Sequence, residues 1–174
     1  SWRDLPQYLY QIQEKFRDEP RPRSGLIRGR TFILKDLYSL DPNKNSLDEF
    51  YERCASAYTK IFQRSGLETI RTKASGGVFT KELTDEFQVI SAAGEDEIIY
   101  CPGGDFSQNL EIAKVSEGKM CDLGHGPLKK AKTIEVGNIF KLKTMYAEKM
   151  NLYYTDKTGR KLPVYLGSYG VGIT

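Results

Sequence analysis

Phe16-Arg17-Asp18-Glu19 and, after a short break, Arg28-Gly29-Arg30-Thr31-Phe32 are the most informative stretch of this chain. Residues 8–18 alternate between apolar and polar side chains, which predicts a strand with one solvated or ligand-facing side. Residues 28–35 predict the return strand, and the proline- and glycine-containing segment 20–27 predicts a loop rather than a tight turn. The pattern therefore predicts an antiparallel hairpin with charged side chains near its loop.

The side chains of this hairpin suit a nucleoside triphosphate. Because side chains repeat every two residues along a strand, Arg17 and Glu19 share one face of the first strand, and Arg28 and Phe32 share one face of the second. Guanidinium groups pair with phosphate oxygens, a carboxylate can meet the adenine edge, and an aromatic ring can stack on the purine. The residues alone leave open a solvated hairpin with cross-strand charge pairs.

Length and composition indicate one globular domain, with 174 residues of which 39% are hydrophobic. The formal net charge of +3 is compatible with a polyanion such as ATP or RNA. No run of about 18 apolar residues and no amino-terminal signal pattern occurs, so we expect a soluble, cytoplasmic protein without a membrane partner. The three cysteines, an odd number, suit a reducing compartment.

The remaining segments predict an α+β fold in which an antiparallel β-sheet is flanked by helices. The clearest helix is 46–65, where Ser46 and Glu49 form a capping box and Gly66 follows the last turn. Shorter helices are predicted at 106–114 and 143–150, and a hairpin turn at 156–159. Further strands are predicted at 68–74, 84–91, 97–101, 132–140 and 163–168.

Taken together, these segments resemble the class II aminoacyl-tRNA synthetases, specifically bacterial-type prolyl-tRNA synthetase. The hairpin, with Lys35-Asp36-Leu37-Tyr38-Ser39 after it, is similar to motif 2 of that class. Essentially the whole chain is covered, because further similar segments occur in the expected order: Tyr8 to Lys15, Gly94-Glu95-Asp96, Asn109-Leu110-Glu111, Thr133 to Phe140 and Gly167 to Gly172. The Ile-Glu-Val-Gly strand and the Gly-Ser-Tyr-Gly ending are specific to the prolyl members.

The resemblance implies a class II synthetase-like antiparallel sheet that binds ATP with Mg²⁺ in a bent conformation. It implies activation of proline to prolyl-adenylate with release of pyrophosphate, and transfer of the prolyl group to tRNA(Pro). Such chemistry needs positioning and charge neutralisation at the α-phosphate rather than a general base. The implied partners are proline, tRNA(Pro) and, for the full-length parent, a second copy in a homodimer.

The resemblance also assigns roles to individual residues. Arg17 is the implied catalytic residue, bridging the α-phosphate and the proline carboxylate. Of the other ATP-binding residues, Glu19 would meet the adenine amino group, Arg28 the distal phosphates, and Phe32 the purine ring. Glu135 would hold Mg²⁺, with Asn138 as its helper, and the amino-acid pocket would be bordered by Glu86, Phe87, Gly167 and Ser168.

Four positions depart from the family pattern. The family commonly has His at Asn138 and Gly at Lys143, and usually has Glu at Thr31 and His at Asp85. These departures leave open a catalytically impaired synthetase paralogue that acts as a nucleotide- or tRNA-binding module. A lone RNA-binding protein is a third possibility.

The resemblance further predicts what residues 1–174 contain. They correspond to a partial catalytic domain, from motif 2 to the start of motif 3, with motif 1, the editing domain and the anticodon-binding domain absent. We therefore expect activity to belong to a larger parent enzyme. Only about two dozen residues separate Glu111 from Glu135, where many bacterial relatives carry the editing domain, so no editing in cis is expected.

The cysteines raise the question of zinc. Relatives can have paired cysteines near both Cys101 and Cys121, but here each partner cysteine is absent. Cys101, Cys121 and His125 offer three ligands, whereas structural zinc normally takes four. We therefore expect no zinc, and interpret His125 as a surface loop residue.

Overall fold

The computed structural model describes all 174 residues and contains ten strands and two α-helices. The helices are α1 (Lys44–Arg64) and α2 (Met145–Lys149), and a 3₁₀ turn covers Trp2–Asp4. Neither helix is long and apolar enough to cross a lipid bilayer. The strands are β1 (Gln7–Phe16), β2 (Thr31–Asp41), β3 (Thr69–Ser75), β4 (Leu83–Ile90), β5 (Asp96–Tyr100), β6 (Ser107–Asn109), β7 (Lys129–Lys143), β8 (Tyr153–Thr155), β9 (Lys161–Pro163) and β10 (Tyr165–Gly172).

The chain divides into two compact units, and both α1 and β7 contribute residues to each of them. The first unit comprises Ser1–Ser56 and Ile139–Thr174. The second comprises Ala57–Asn138.

In the first unit, β2 lies between β1 and β10 and is antiparallel to both. One side of this sheet packs against α1 through aromatic rings. The Tyr169 ring lies 5.4 Å from that of Phe50 and 6.2 Å from that of Tyr51. The Tyr51 hydroxyl also donates to the Ile139 carbonyl oxygen at 3.1 Å. The core of this unit therefore lies between α1 and the sheet.

In the second unit the strand order is β4-β3-β6-β5, and β7 neighbours both β4 and β5, which closes the ring of strand pairings. The β3–β6 pair is parallel, whereas β3–β4, β5–β6 and β5–β7 are antiparallel. Phe87 is completely buried, with its ring 5.3 Å from Tyr58 and 5.6 Å from Phe62 of α1. The aromatic residues of α1 are therefore core residues, as the helical spacing predicts.

The predicted α+β architecture with a largely antiparallel sheet and flanking helices is confirmed, and its main helix begins earlier than predicted. Asn43 rather than Ser46 is the capping side chain, because its Oδ1 accepts from the Ser46 backbone N–H at 3.0 Å. The Ser46 hydroxyl instead donates to Oδ1 of the fully buried Asp41 at 2.7 Å. This contact joins the end of β2 to the start of α1.

Two other local predictions are wrong. Residues 106–114 form β6 and turns instead of a helix, because β6 pairs with both β3 and β5 and its Ser107 hydroxyl lies 2.8 Å from that of Thr72. Segment 20–27 is not an open loop throughout. Arg23 pairs with Arg28 across the hairpin, and a tight turn at Ser24 and Gly25, both at positive φ, closes its tip.

Candidate functional site

The charged hairpin extends beyond β1 and β2 in the first unit. The Arg17 N–H donates to the Arg30 carbonyl oxygen at 2.8 Å, which continues the pairing one residue past Phe16. Farther out, the Arg23 N–H donates to the Arg28 carbonyl oxygen at 3.1 Å. Arg17, Arg23, Arg28 and Arg30 are therefore held on a paired backbone, whereas Arg21 lies in the irregular segment between the two pairs.

Arg17 and Phe32 lie on the same face of this hairpin. Lys15 is directly opposite Phe32 in the β1–β2 register, and Arg17 follows two residues after Lys15. The central guanidinium carbon of Arg17 lies 4.8 Å from the centre of the Phe32 ring. Lys15 in turn forms an ion pair of 2.8 Å with Asp36 on β2. The β1–β2 register thus places the arginine and the aromatic ring on one face and in contact.

Glu19 is held by the arginines around it. Its Oε2 accepts from Nε of Arg28 at 2.9 Å, its Oε1 accepts from the Arg21 N–H at 3.3 Å, and its carbonyl oxygen accepts from Nε of Arg30 at 3.0 Å. The Arg21 N–H and then the Arg28 side chain hold the pKa of Glu19 below its usual value. Glu19 therefore remains an anion that orients its neighbours.

A surface cleft of about 330 Å³ opens beside this carboxylate. It is lined by Glu19, Pro20, Arg21, Arg23 and Arg28. Three of the five lining side chains are cationic and one is anionic, so the cleft suits a polyanion such as a triphosphate.

Gly167 and Ser168 of β10 lie on different faces of the first unit's sheet. Ser168 is opposite Tyr38 in the β2–β10 register, and Tyr38 lies six residues after Phe32, so Ser168 is on the Phe32 face. Gly167 lies on the α1 face, where a Cβ would come within 2.2 Å of the Tyr169 hydroxyl oxygen and 2.8 Å of Ser39 Oγ. Glycine at 167 therefore makes room for the Tyr169–Ser39 contact of 3.1 Å.

Glu135 and Asn138 of β7 contact each other in the second unit, where Nδ2 of Asn138 donates to Oε1 of Glu135 at 2.7 Å. The Asn138 amide therefore holds one of the two carboxylate oxygens of Glu135. Asn138 thus orients Glu135.

Glu86 and Phe87 of β4 face opposite sides, since neighbouring strand residues alternate. The Glu86 carboxylate accepts from Nε2 of Gln88 at 2.8 Å, and burial raises its pKa above the usual value. Phe87 is enclosed in the core against Tyr58 and Phe62. Phe87 is therefore a core residue in the structure, and its place beside the amino-acid pocket stays a prediction.

These sequence features match one family over the whole chain. The model of the tRNA synthetase class II core domain (G, H, P, S and T) matches residues 1–174. The chain belongs to this class II synthetase family.

Within the class II family, the chain is similar to prolyl members. A probable mitochondrial proline–tRNA ligase of Rattus norvegicus is 41% identical over all 174 residues, which are 36% of that protein. The proline–tRNA ligase of Anaplasma marginale is 38% identical over 187 aligned positions, covering the whole chain and 44% of that protein. The chain thus spans less than half the length of each of these relatives.

A solved structure confirms the class II fold. It is the crystal structure of prolyl-tRNA synthetase from Cryptosporidium parvum complexed with L-proline and AMP. The TM-score is 0.69 at 15% identity, and the match covers 99% of this chain and 28% of that one.

The four residues that depart from the synthetase pattern each have a distinct local environment. Asp85 is completely buried and forms ion pairs of 2.7 Å with both Arg71 and Lys73 of β3. Lys143 has φ +54, a left-handed conformation that glycine adopts at lower cost, and glycine is what the family commonly has there. Thr31 is the first residue of β2 and is exposed. Asn138 keeps a hydrogen-bonding role through Glu135.

One further cluster contains none of the predicted class II site residues. Cys101, Asp105, Cys121 and His125 bring their ligand atoms within 4.8 Å of one another in the second unit. Three of these residues are the possible ligands named from the sequence above, and Asp105 is a fourth that was not predicted. The signal was present, because Asp105 follows Cys101 by the same four positions that separate His125 from Cys121.

Proposed function

We propose that the hairpin of the first unit binds ATP, and that the protein containing this chain is a proline–tRNA ligase. The stack of Arg17 on Phe32 carries the proposal, because it sets a cationic group beside an aromatic face on the same hairpin that carries the arginine-lined cleft. The family assignment and the relatives named proline–tRNA ligase support the choice of reaction.

The proposed reaction has two steps. A carboxylate oxygen of proline attacks the α-phosphorus of ATP, and pyrophosphate leaves to give prolyl-adenylate. A hydroxyl of the terminal adenosine of tRNA(Pro) then attacks the prolyl carbonyl carbon, and AMP leaves. Negative charge gathers on the α-phosphate oxygens in the first step, so the main task of Arg17 is to bind and neutralise these oxygens.

Glu19 and Arg28 bind each other, which refines the roles that the resemblance implies for them. A triphosphate reaching the cleft would share the Arg28 guanidinium with the Glu19 carboxylate, since a guanidinium carries five N–H donors. Glu19 keeps one carboxylate oxygen close to the Arg21 backbone and can meet the adenine amino group there. We propose that the Glu19–Arg28 pair positions Arg28 before the nucleotide arrives.

Mg²⁺ binding by Glu135 is a separate proposal. Carboxylate oxygens are preferred ligands for Mg²⁺, which binds through one or two carboxylates and keeps several waters. Asn138 would orient the carboxylate by its hydrogen bond and need not itself bind the ion. Glu86 and Ser168 remain the proposed contributors to proline recognition, with Gly167 supporting the strand beside Ser168.

The substrates, assembly and location of the protein are part of the same proposal. Proline and tRNA(Pro) are the proposed substrates together with ATP, and a homodimer of the full-length protein is the proposed assembly. A cytoplasmic location remains a prediction, since the relatives include proteins named mitochondrial as well as bacterial ones.

The test is proline-dependent exchange of pyrophosphate into ATP by the full-length protein. Exchange that requires proline, and is not supported by alanine or glycine at the same concentration, is the expected result. Absence of exchange with any amino acid would exclude an active ligase. ATP binding without adenylate formation would favour the impaired paralogue. If the unmodified protein binds tRNA but no ATP, and its salt-dependent tRNA binding survives Arg17→Glu, an RNA-binding protein would be favoured. Loss of ATP binding in Arg17→Glu with tRNA binding unchanged would instead support the ligase.

A further inference from the structure

Two turns of the second unit have the same construction. Each begins at a cysteine and ends four residues later at a possible metal ligand, in Cys101-Pro-Gly-Gly-Asp105 and Cys121-Asp-Leu-Gly-His125. In each turn the cysteine N–H donates to a carbonyl five residues on, and the glycine three residues on donates to the cysteine carbonyl. These bonds are Cys101 to Phe106 at 2.8 Å, Cys121 to Gly126 at 3.0 Å, Gly104 to Cys101 at 2.9 Å and Gly124 to Cys121 at 2.9 Å.

The two turns direct their side chains to a common point. Sγ of Cys101 lies 3.9 Å from Nδ1 of His125 and 4.0 Å from Oδ2 of Asp105, and the His125 nitrogen contacts the Asp105 carboxylate. With Cys121, the four ligand atoms all lie within 4.8 Å of one another. A tetrahedral zinc ion with bonds of about 2.0–2.3 Å holds its ligand atoms about 3.3–3.8 Å apart, so only small movements separate the cluster from that geometry.

Backbone groups also support the two sulfur atoms. The Gly103 N–H donates to Sγ of Cys101 at 3.3 Å, and the Leu123 N–H, at the same place in the second turn, donates to Cys121. Hydrogen bonds of this kind stabilise a metal-bound thiolate. Both cysteines are buried and neither is in a disulfide.

Gly103 fits the first turn closely against the second. A Cβ at this position would lie 2.4 Å from Nδ1 of His125, so a larger residue would push the imidazole away from the cluster. The approach of the two turns therefore depends on a glycine that has no ligand role of its own.

We propose that Cys101, Asp105, Cys121 and His125 bind one zinc ion in a closed structural site. Two thiolates and an imidazole favour zinc over magnesium or calcium, and four protein ligands leave no open position for catalysis. The sequence spacing of the four ligands also fits a zinc site. Three residues separate the two ligands of each turn, and 15 residues lie between Asp105 and Cys121. The expectation of no zinc counted three ligands, and Asp105 supplies the fourth.

The site would stabilise a part of the second unit that has little regular structure. Between β5 and β7 only the three-residue β6 is a strand. The local apolar cluster is small: Ile99, Cys101, Cys121 and Leu128, with Phe106, Ala113 and Val115 against it. A metal ion that ties two turns together adds folding free energy where such a small core cannot supply it.

Cobalt substitution tests the site without any variant. The full-length protein is depleted of metal under reducing conditions and titrated with Co²⁺. We expect thiolate-to-cobalt charge-transfer absorption together with the intense visible bands of tetrahedral cobalt, both abolished by one equivalent of Zn²⁺. A spectrum without the thiolate transition would overturn the proposal. So would purification, in the presence of zinc, of a form with a Cys101–Cys121 disulfide and no bound metal.

Zinc content of variants provides the second test. Cys121→Ser and His125→Ala should each lose one zinc per chain relative to the unmodified protein, whereas Cys54→Ser, which changes a buried cysteine of α1 outside the cluster, should lose none. Gly103→Ala should retain all four ligands but bind zinc about 10-fold or more weakly. Zinc content unchanged in a Cys101→Ser/Cys121→Ser double variant would contradict the proposal.

Discussion

The guanidinium of Arg17 lies over the ring of Phe32, with 4.8 Å between the guanidinium carbon and the ring centre. One face of the ring is therefore covered by a cation before any nucleotide is bound. A purine that stacks on Phe32 must use the opposite face or displace Arg17 toward the phosphates. Either event couples binding of the base to placement of the charge that the reaction needs.

The contact between Arg17 and Phe32 predicts that even a conservative substitution of Arg17 has a large effect on kcat/KM for ATP. Arg17→Lys should lower kcat/KM for ATP in proline-dependent exchange by about 10²–10³-fold, because lysine cannot donate through a planar fork or stack in the same way. Pyrophosphate exchange by the full-length protein is the measurement. Arg64→Lys, in the exposed last turn of α1, is the matched control and should leave kcat/KM unchanged. A similar loss in both variants would contradict the assigned role of Arg17.

The ion pairs of Asp48 predict a pH-dependent stability. Its carboxylate lies 2.6 Å from Nζ of Lys141 and 2.5 Å from Nζ of Lys44, and these hydrogen bonds, Lys141 first, hold the pKa of Asp48 below its ordinary value of 3.8. A lowered pKa in the folded state means that the stabilisation is present above pH 3.8 and is lost as the pH falls through the folded-state pKa.

Asp48→Asn should therefore lower the free energy of unfolding by about 0.5–1 kcal/mol at pH 7, and the difference from the unmodified protein should shrink below pH 3.8. Denaturant unfolding at several pH values measures this. Glu49→Gln, an exposed neighbour on the same helix, should show no such pH dependence. A constant difference at all pH values would mean that the ion pairs are not its cause.

The close approach of Gly167 to Tyr169 predicts that substitutions at these two positions are coupled in their effect on stability. Gly167→Ala should lower the free energy of unfolding by about 1–3 kcal/mol, because the added Cβ meets the Tyr169 hydroxyl and displaces it from Ser39. Combining it with Tyr169→Phe should cost less than the sum of the two single changes, since the clashing hydroxyl is gone. Ser168→Ala, on the other face of β10, serves as control. Strict additivity in the double-variant cycle would refute the coupling.

The burial of Phe87 predicts that shortening its side chain lowers the stability of the protein without specifically weakening substrate binding. Phe87→Ala should lower the free energy of unfolding by about 3–5 kcal/mol, because it leaves a cavity beside Tyr58 and Phe62. Phe87→Leu is milder and should fold with an unchanged KM for proline. Val78→Ala, which alters a largely exposed side chain of the same unit, should change stability by no more than about 0.5 kcal/mol. A raised KM for proline in folded Phe87→Leu would instead support the predicted place of Phe87 beside the proline pocket.

The distribution of the hairpin side chains over its two faces can be predicted largely from strand periodicity. Alternation places Arg17 and Phe32 on one face once β1 and β2 pair in register, and no knowledge of side-chain contacts is needed. The pairing of Glu19 with Arg28 could not be obtained in this way. The resemblance assigned both residues to a ligand, and in the structure they satisfy each other's charge.

Two other sequence predictions differ from the structure because tertiary contacts override short-range sequence signals. Ser46 and Glu49 match a capping box, yet Asn43 caps the helix because the Ser46 hydroxyl is bound to buried Asp41. Residues 106–114 contain helix-compatible side chains, yet β3 and β5 offer backbone partners to β6. Sequence alone does not reveal which distant segment will be adjacent.

The hydrogen bond from Ser46 to the buried carboxylate of Asp41 has a consequence for motion along the hairpin. It anchors the carboxyl-terminal end of β2, whereas the turn at Gly25 is exposed. Amide protons near Asp41 should consequently exchange with solvent at the rate of global opening, and those near Gly25 through local fraying. Adjustment of the arginine-bearing tip to an incoming anion is thereby separated from unfolding of the sheet.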